Sequence, residues 1–172
     1  MPELPEVESV ARSLRPRLVG RRVVAIEVSG LSLRRPIERE RLERALAGAK
    51  AEAVRRVGKY LLIDFSTGNV LLVHLGMSGR LLFAKPDEAR APHTHAVFRL
   101  SGGLELRYVD PRRFGVLRAY RAGELERSPE LSVLGIDPLA PDFSVAQLIA
   151  MLASARRDLK GFLLDQSRLA GL

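Results

Sequence analysis

The chain has 172 residues, 47% of them apolar, and a formal net charge of +8; it is long enough to bury one good core, or a core plus a small second domain. It contains no cysteine, which excludes disulfides and any cysteine-ligated zinc site built from this chain alone. No apolar run approaches membrane-spanning length, residues 1–20 lack the basic-then-apolar layout of a secretory signal, and the charge points to an anionic partner, nucleic acid first.

Taken in chain order, Val7, Val10, Ala11 and Leu14 recur at helical spacing and predict a first helix. Arg21–Ser29 reads as a strand, and Pro36–Ala49 as a charged amphipathic helix. From Glu52 to Arg121 the period changes to two. Leu104, Leu106 and Tyr108 alternate with Glu105, Arg107 and Val109, while Leu61–Phe65 and Val70–Leu75 form denser apolar runs. Turn chemistry separates them at Ser66-Thr67-Gly68-Asn69, Gly76-Met77-Ser78-Gly79 and Ser101-Gly102-Gly103. Short strands in succession predict an antiparallel sandwich. Gly135–Phe143 reads as a linker, and Ser144–Ala155 and Asp158–Leu169 as two helices. The expected fold class is α+β: an N-terminal helix plus antiparallel β-sandwich over 1–134, a linker at 135–143, and a partial helical domain over 144–172.

The opening Met1-Pro2-Glu3-Leu4-Pro5-Glu6 carries two readings. As local structure it is a helix start, with proline welcome in the first turn and carboxylates complementing the helix dipole. As chemistry, removal of Met1 leaves Pro2 as a free secondary amine beside the Glu3 carboxylate. An α-amine titrates near pH 8, so at neutral pH it is at most roughly a few-hundredfold richer in the nucleophilic form than lysine. Such an amine forms an iminium ion with a masked aldehyde. Lys59 equally reads as a solvated charge that blunts a strand edge, and His74 as a hydrogen-bonded core histidine. Met77, an apolar side chain at a glycine-flanked tip, either folds inward or projects. Asp110-Pro111 is ordinary turn chemistry, Arg112-Arg113 reads as surface charge, and Phe114 as a core anchor.

Four islands occur in order: Pro2-Glu3-Leu4-Pro5-Glu6; Gly58-Lys59-Tyr60-Leu61; His74-Leu75-Gly76-Met77-Ser78-Gly79 followed by Pro92-His93-Thr94-His95; and Asp110-Pro111-Arg112-Arg113-Phe114-Gly115. Together they resemble the formamidopyrimidine-DNA glycosylase family, over essentially the whole chain. The resemblance implies base removal from double-stranded DNA carrying oxidised or abasic sites, with the target nucleotide extruded from the stack. On that reading Pro2 attacks the sugar C1′, Glu3 protonates the ring oxygen, and Lys59 contacts phosphate and assists strand scission. Met77, Arg112 and Phe114 fill the void, His74 and His93 lie near the DNA backbone, and Glu6 supports. The wording of the first island and the Met/Arg/Phe trio resemble the oxidised-purine branch rather than the endonuclease VIII-like, oxidised-pyrimidine branch. A cytoplasmic, bacterial-type, nucleoid-associated location follows.

The chain departs from the family after Leu172. The Gly-Asn-Ile-Tyr stretch, the lesion-recognition loop and the zinc finger that follow in relatives have no counterpart in this sequence, so no cofactor or metal is expected in it. Fewer phosphate contacts imply weak DNA binding and strongly reduced or absent turnover. A non-catalytic or vestigial damaged-DNA-binding protein is the alternative. Leu159, Phe162, Leu163 and Gln166, ending in Leu169–Ala170, form a helical stripe that is expected to lie bare and invite self-association.

Overall fold

Val7, Ala11, Leu14 and Leu18 fall on one stripe of α1 (Leu4–Leu18) and are buried along it. This is how the computed structural model, which describes residues 2–172, begins its core. Eight strands follow in two four-stranded antiparallel sheets. β1 (Val23–Val28), β6 (Thr94–Leu100), β7 (Leu104–Val109) and β5 (Arg80–Ala84) lie side by side in that order. The second sheet has the order β2 (Ala51–Val57), β3 (Tyr60–Phe65), β4 (Val70–His74) and β8 (Val116–Tyr120). Side chains from the inner faces of both sheets, from α1 and from α2 (Arg39–Leu46) form the main core, which includes Leu46, Leu61, Ile63, Val73, Phe98 and Tyr108.

The dense apolar runs have a physical reason. The outer face of the second sheet is also covered: Leu62, Val70, Leu72, Val116 and Tyr120 pack against Leu125 and Leu131, in and beyond a single 3₁₀ turn at Leu125–Arg127. β4 is therefore buried at every position, so its sequence is continuous rather than alternating. In β7 the polar half of the alternation is buried as well. Glu105 and Arg107 pair at 2.8 Å, and the Arg107 guanidinium donates to the Lys85, Glu88 and Ala89 carbonyls. The Glu105–Arg107 pair is thus a clasp on the loop after β5.

Three boundaries differ from expectation. The second helix is shorter than Pro36–Ala49: Glu38 is its N-cap, and Gly48, at φ +73°, turns the chain so that its N–H reaches the Val23 carbonyl. At the C-terminal end, α3 (Val145–Ala153) is capped by Ser144, whose hydroxyl accepts the Gln147 N–H. The last helix is only α4 (Leu159–Leu163), not Asp158–Leu169. The Asp165 carboxylate takes the Ser167 N–H and hydroxyl, and Leu169 enters a parallel bridge with Ile136, both incompatible with continued helix.

That bridge also corrects the picture of a bare stripe. Phe162, Leu169 and Ala170 are buried within the chain, whereas Leu159 and Leu164, with Val145 and Ile149 of α3, are exposed, and no residue of α3 is buried. The linker is tied down too, since Gly135 and Ile136 donate to the Gln166 and Arg168 carbonyls and Asp137 pairs with Arg56 on β2. Among the described residues no helix is long and apolar enough to cross a membrane.

Candidate active site

Pro2 lies ahead of the helix, because the N-cap is Glu3 and the proline in the first turn is Pro5. The two readings of the opening run therefore apply to different residues. Pro5 and Glu6 serve the helix, and Pro2 is left half-buried outside it. The Glu6 carboxylate accepts the Glu3 N–H at 3.0 Å, which fixes the peptide joining Pro2 to Glu3. The Glu3 carboxylate lies 3.8 Å from the Lys59 ammonium.

Lys59 sits in the two-residue turn between β2 and β3, where Val57 pairs with Tyr60 and Gly58 adopts φ +56°, the left-handed conformation that primed hairpin turns demand. A lysine at such a tip is ordinarily solvated, yet Lys59 is only 6% exposed. Leu134 and Ala170 press on Gly58 and close the turn on one side. The edge-blunting reading of Lys59 therefore fails.

Tyr60, the next residue, pairs across the sheet with His74, and the two rings stand 5.0 Å apart. His74 is 8% exposed. Its Nδ1 accepts the Gly76 N–H at 3.1 Å, so a neutral ring carries its proton on Nε2. Burial, reinforced by the positive charges of Arg34 and Lys59, pulls its pKa down to about 4. His74 is thus a neutral donor at physiological pH. The unfolded chain takes up this proton near pH 6.5 and the folded chain only near pH 4. The His74 contribution to stability is accordingly complete above about pH 6.5 and is lost as the pH falls toward 4, on the order of 3 kcal/mol in total. His74→Gln is expected to flatten the fall in urea midpoint between pH 6.5 and 4; slopes parallel to the parent's would refute the assignment.

Beyond His74 the backbone forms a tip. Met77 is 46% exposed and Phe114, on the loop between β7 and β8, is 47% exposed. The Arg112 guanidinium lies over the Phe114 ring at 4.9 Å. With His74, Gly76, Arg113 and Arg34 they line one open cleft of about 690 Å³. Exposed apolar side chains supported by arginine on a rigid tip suit insertion into a base stack.

A residue that reads as turn chemistry holds this tip together. Asp110 is fully buried. Its Oδ1 accepts the Ser78 hydroxyl at 2.6 Å and its Oδ2 the Gly115 N–H at 2.9 Å, while Ser78 Oγ accepts the Arg112 N–H at 3.2 Å. One carboxylate therefore joins the Met77 turn to both ends of the Arg112–Phe114 loop. Gly76 is required by close approach: a Cβ there would meet the Phe114 carbonyl carbon at 2.5 Å. Asp110 also donates its N–H to the His93 carbonyl. His93 is exposed, at φ +63°, next to the tip but outside the cleft lining. His95 is structural, its ring held by the Ser29 hydroxyl and the Asp110 carbonyl.

The fold thus brings Glu3 and Lys59 together beside Pro2, gathers His74, Met77, Arg112 and Phe114 around one cleft, and links the two groups through Tyr60. Asp110, Ser78 and Arg34 are the members that sequence reasoning passed over. The presence of Asp110 and Ser78 inside the matching islands was the available signal.

The sandwich that carries both groups is of a defined class, because residues 1–117 match the model of the formamidopyrimidine-DNA glycosylase N-terminal domain. The chain is 45% identical over 172 residues to the formamidopyrimidine-DNA glycosylase of Moorella thermoacetica and 42% identical over 184 to that of Bradyrhizobium sp. strain BTAi1. Each alignment covers the whole chain, and 63% and 62% of the respective relative. The fold is similar, with a TM-score of 0.88 and 30% identity, to the Lactococcus lactis Fpg in complex with abasic-site DNA, over 99% of this chain and 63% of that one. The same figures hold for the Lactococcus lactis Fpg (MutM) bound to DNA containing N7-benzyl-Fapy-dG. The chain belongs to the formamidopyrimidine-DNA glycosylase family, and it spans a little under two thirds of the length of these relatives.

Proposed function

We propose that this chain carries the chemical machinery of a bifunctional glycosylase and abasic-site lyase acting on oxidised purines, 8-oxoguanine and formamidopyrimidines, in duplex DNA. The observation that carries the reading is Lys59: a cation buried at a hairpin tip and held 3.8 Å from Glu3, next to the chain's first proline. A structural lysine has no need of that place, whereas an attacking amine needs an acid and a phosphate anchor beside it. The damaged nucleotide is extruded into the cleft, and Met77, Arg112 and Phe114 occupy the space it leaves. The Pro2 nitrogen, freed of Met1, bonds to C1′ while the bond from C1′ to the base breaks. Glu3 protonates the ring oxygen and the sugar opens to an iminium ion. The iminium withdraws electrons from C2′, whose proton leaves as the 3′ phosphate departs; elimination of the 5′ phosphate follows. Hydrolysis of the iminium ion returns the amine. Lys59 and the neutral His74 supply donors to phosphate oxygens. The complexes of the Lactococcus lactis Fpg with abasic-site DNA and with N7-benzyl-Fapy-dG DNA support the same reading.

Borohydride trapping on a duplex with an abasic site tests this. A covalent adduct is expected at high protein concentration, and it should vanish in an amine-blocked form that retains Met1. No adduct, or an adduct indifferent to blocking, would refute the proposal.

A further inference from the structure

An amine that attacks a carbon must be held to within about an ångström, and Pro2 stands outside the helix that follows it. What fixes the start of α1 is therefore the question. The first N–H groups of a helix have no partner within it. That of Leu4 is satisfied by the Gly171 carbonyl at 2.8 Å, a partner from the far end of the sequence. Gly171 adopts φ +109°, which favours glycine, and a Cβ on it would crowd the Leu4 side chain at 3.0 Å.

Gly171 is itself clipped from both sides by one side-chain amide. Gln166 Oε1 accepts the Gly171 N–H at 2.9 Å, and Gln166 Nε2 donates to the Leu172 carbonyl. The ribbon so formed is anchored by Ile136, which donates to Arg168 and accepts from Ala170. Ala170 lies against Gly58 at the Lys59 turn. One short ribbon thus touches the helix start that bears Pro2 and Glu3 and the hairpin tip that bears Lys59.

We infer that Gln166 is a positioning residue for the N-terminal amine: it shapes the Gly171 turn that seats Leu4, and so sets Pro2 and Glu3 against Lys59. It touches no reacting atom. The inference rests on the function proposed above, and its test is separable from that reading.

The experiment compares the parent chain with Gln166→Leu and, independently, Gly171→Ala, which crowds Leu4 without removing the clip. Single-turnover borohydride trapping at saturating abasic-site duplex is measured alongside DNA affinity and amide hydrogen exchange. In both variants trapping is expected to slow about tenfold or more, with DNA affinity within about twofold of the parent. Exchange at the Leu4 amide should accelerate about tenfold or more while Leu62 and Leu72 in the core stay protected. Unchanged Leu4 protection, or lost protection with unchanged trapping, overturns the inference. Equal loss of protection at Leu4, Leu62 and Leu72 overturns it too, as a merely global effect. If the parent itself forms no adduct, the proposed function fails, and Leu4 exchange still decides whether Gln166 sets the helix start.

Discussion

Gly115→Ala is expected to destabilise the protein by roughly 3 kcal/mol or more, at the upper end of what overpacking a core costs. The added methyl would lie 1.7 Å from the Tyr108 hydroxyl oxygen and 2.7 Å from the His74 carbonyl oxygen. Neither neighbour can withdraw. Tyr108 is fully buried in the main core with its hydroxyl donating to that same His74 carbonyl, and His74 is fixed by strand pairing on both sides. The backbone must therefore move, and Gly115 N–H would leave Asp110. Urea unfolding of Gly115→Ala, Tyr108→Phe and the double variant reads the contact directly. Removing the hydroxyl should recover about 1 kcal/mol or more as a coupling energy; strictly additive effects would show that the crowding is not with Tyr108.

Asp110→Asn is expected to weaken binding to an abasic-site duplex about tenfold and to lower stability by about 2–3 kcal/mol, the range for hydrogen bonds to a buried charged acceptor. The carboxylate accepts at both oxygens. An amide accepts at one and donates at the other, so it must either face the Gly115 N–H with its own N–H or leave the Ser78 proton without an acceptor. With its N–H turned to Ser78 the amide keeps Gly115 but strands the Ser78 proton on an oxygen that already accepts from Arg112. Turned the other way it loses Gly115, so the coupling between the Met77 turn and the Arg112–Phe114 loop is weakened in either case. Binding should fall more for an abasic duplex than for an undamaged one, because only the former needs the gap filled. Equal weakening for both duplexes would mean that Asp110 serves stability alone.

The local elements were legible because their residues state their own period. Val7, Ala11 and Leu14 announce α1, and the glycine-marked turns delimit β3 to β5. What was not legible depends on neighbours far away in sequence. Nothing in β7 says that Glu105 and Arg107 face protein rather than water; their burial comes from the loop at Lys85–Ala89 folding over them. Likewise α4 ends at Leu163 because Leu169 is drawn to Ile136, a partner no helical spacing reveals. In the site, Pro2, Glu3 and Lys59 stood out by residue type and by their order along the chain. Asp110 and Gln166 did not, since an aspartate before proline and a glutamine near a helix look ordinary until their acceptors and donors are traced.

The bond from Leu4 to Gly171 also has a timetable. Ribosomes add about 5–20 residues per second, so the acceptor for Leu4 is made on the order of ten to thirty seconds after Leu4 itself. During that interval the Leu4 N–H lacks the partner it has in the folded chain. The seat forms only after that. On the proposed mechanism, removal of Met1 falls before that closure.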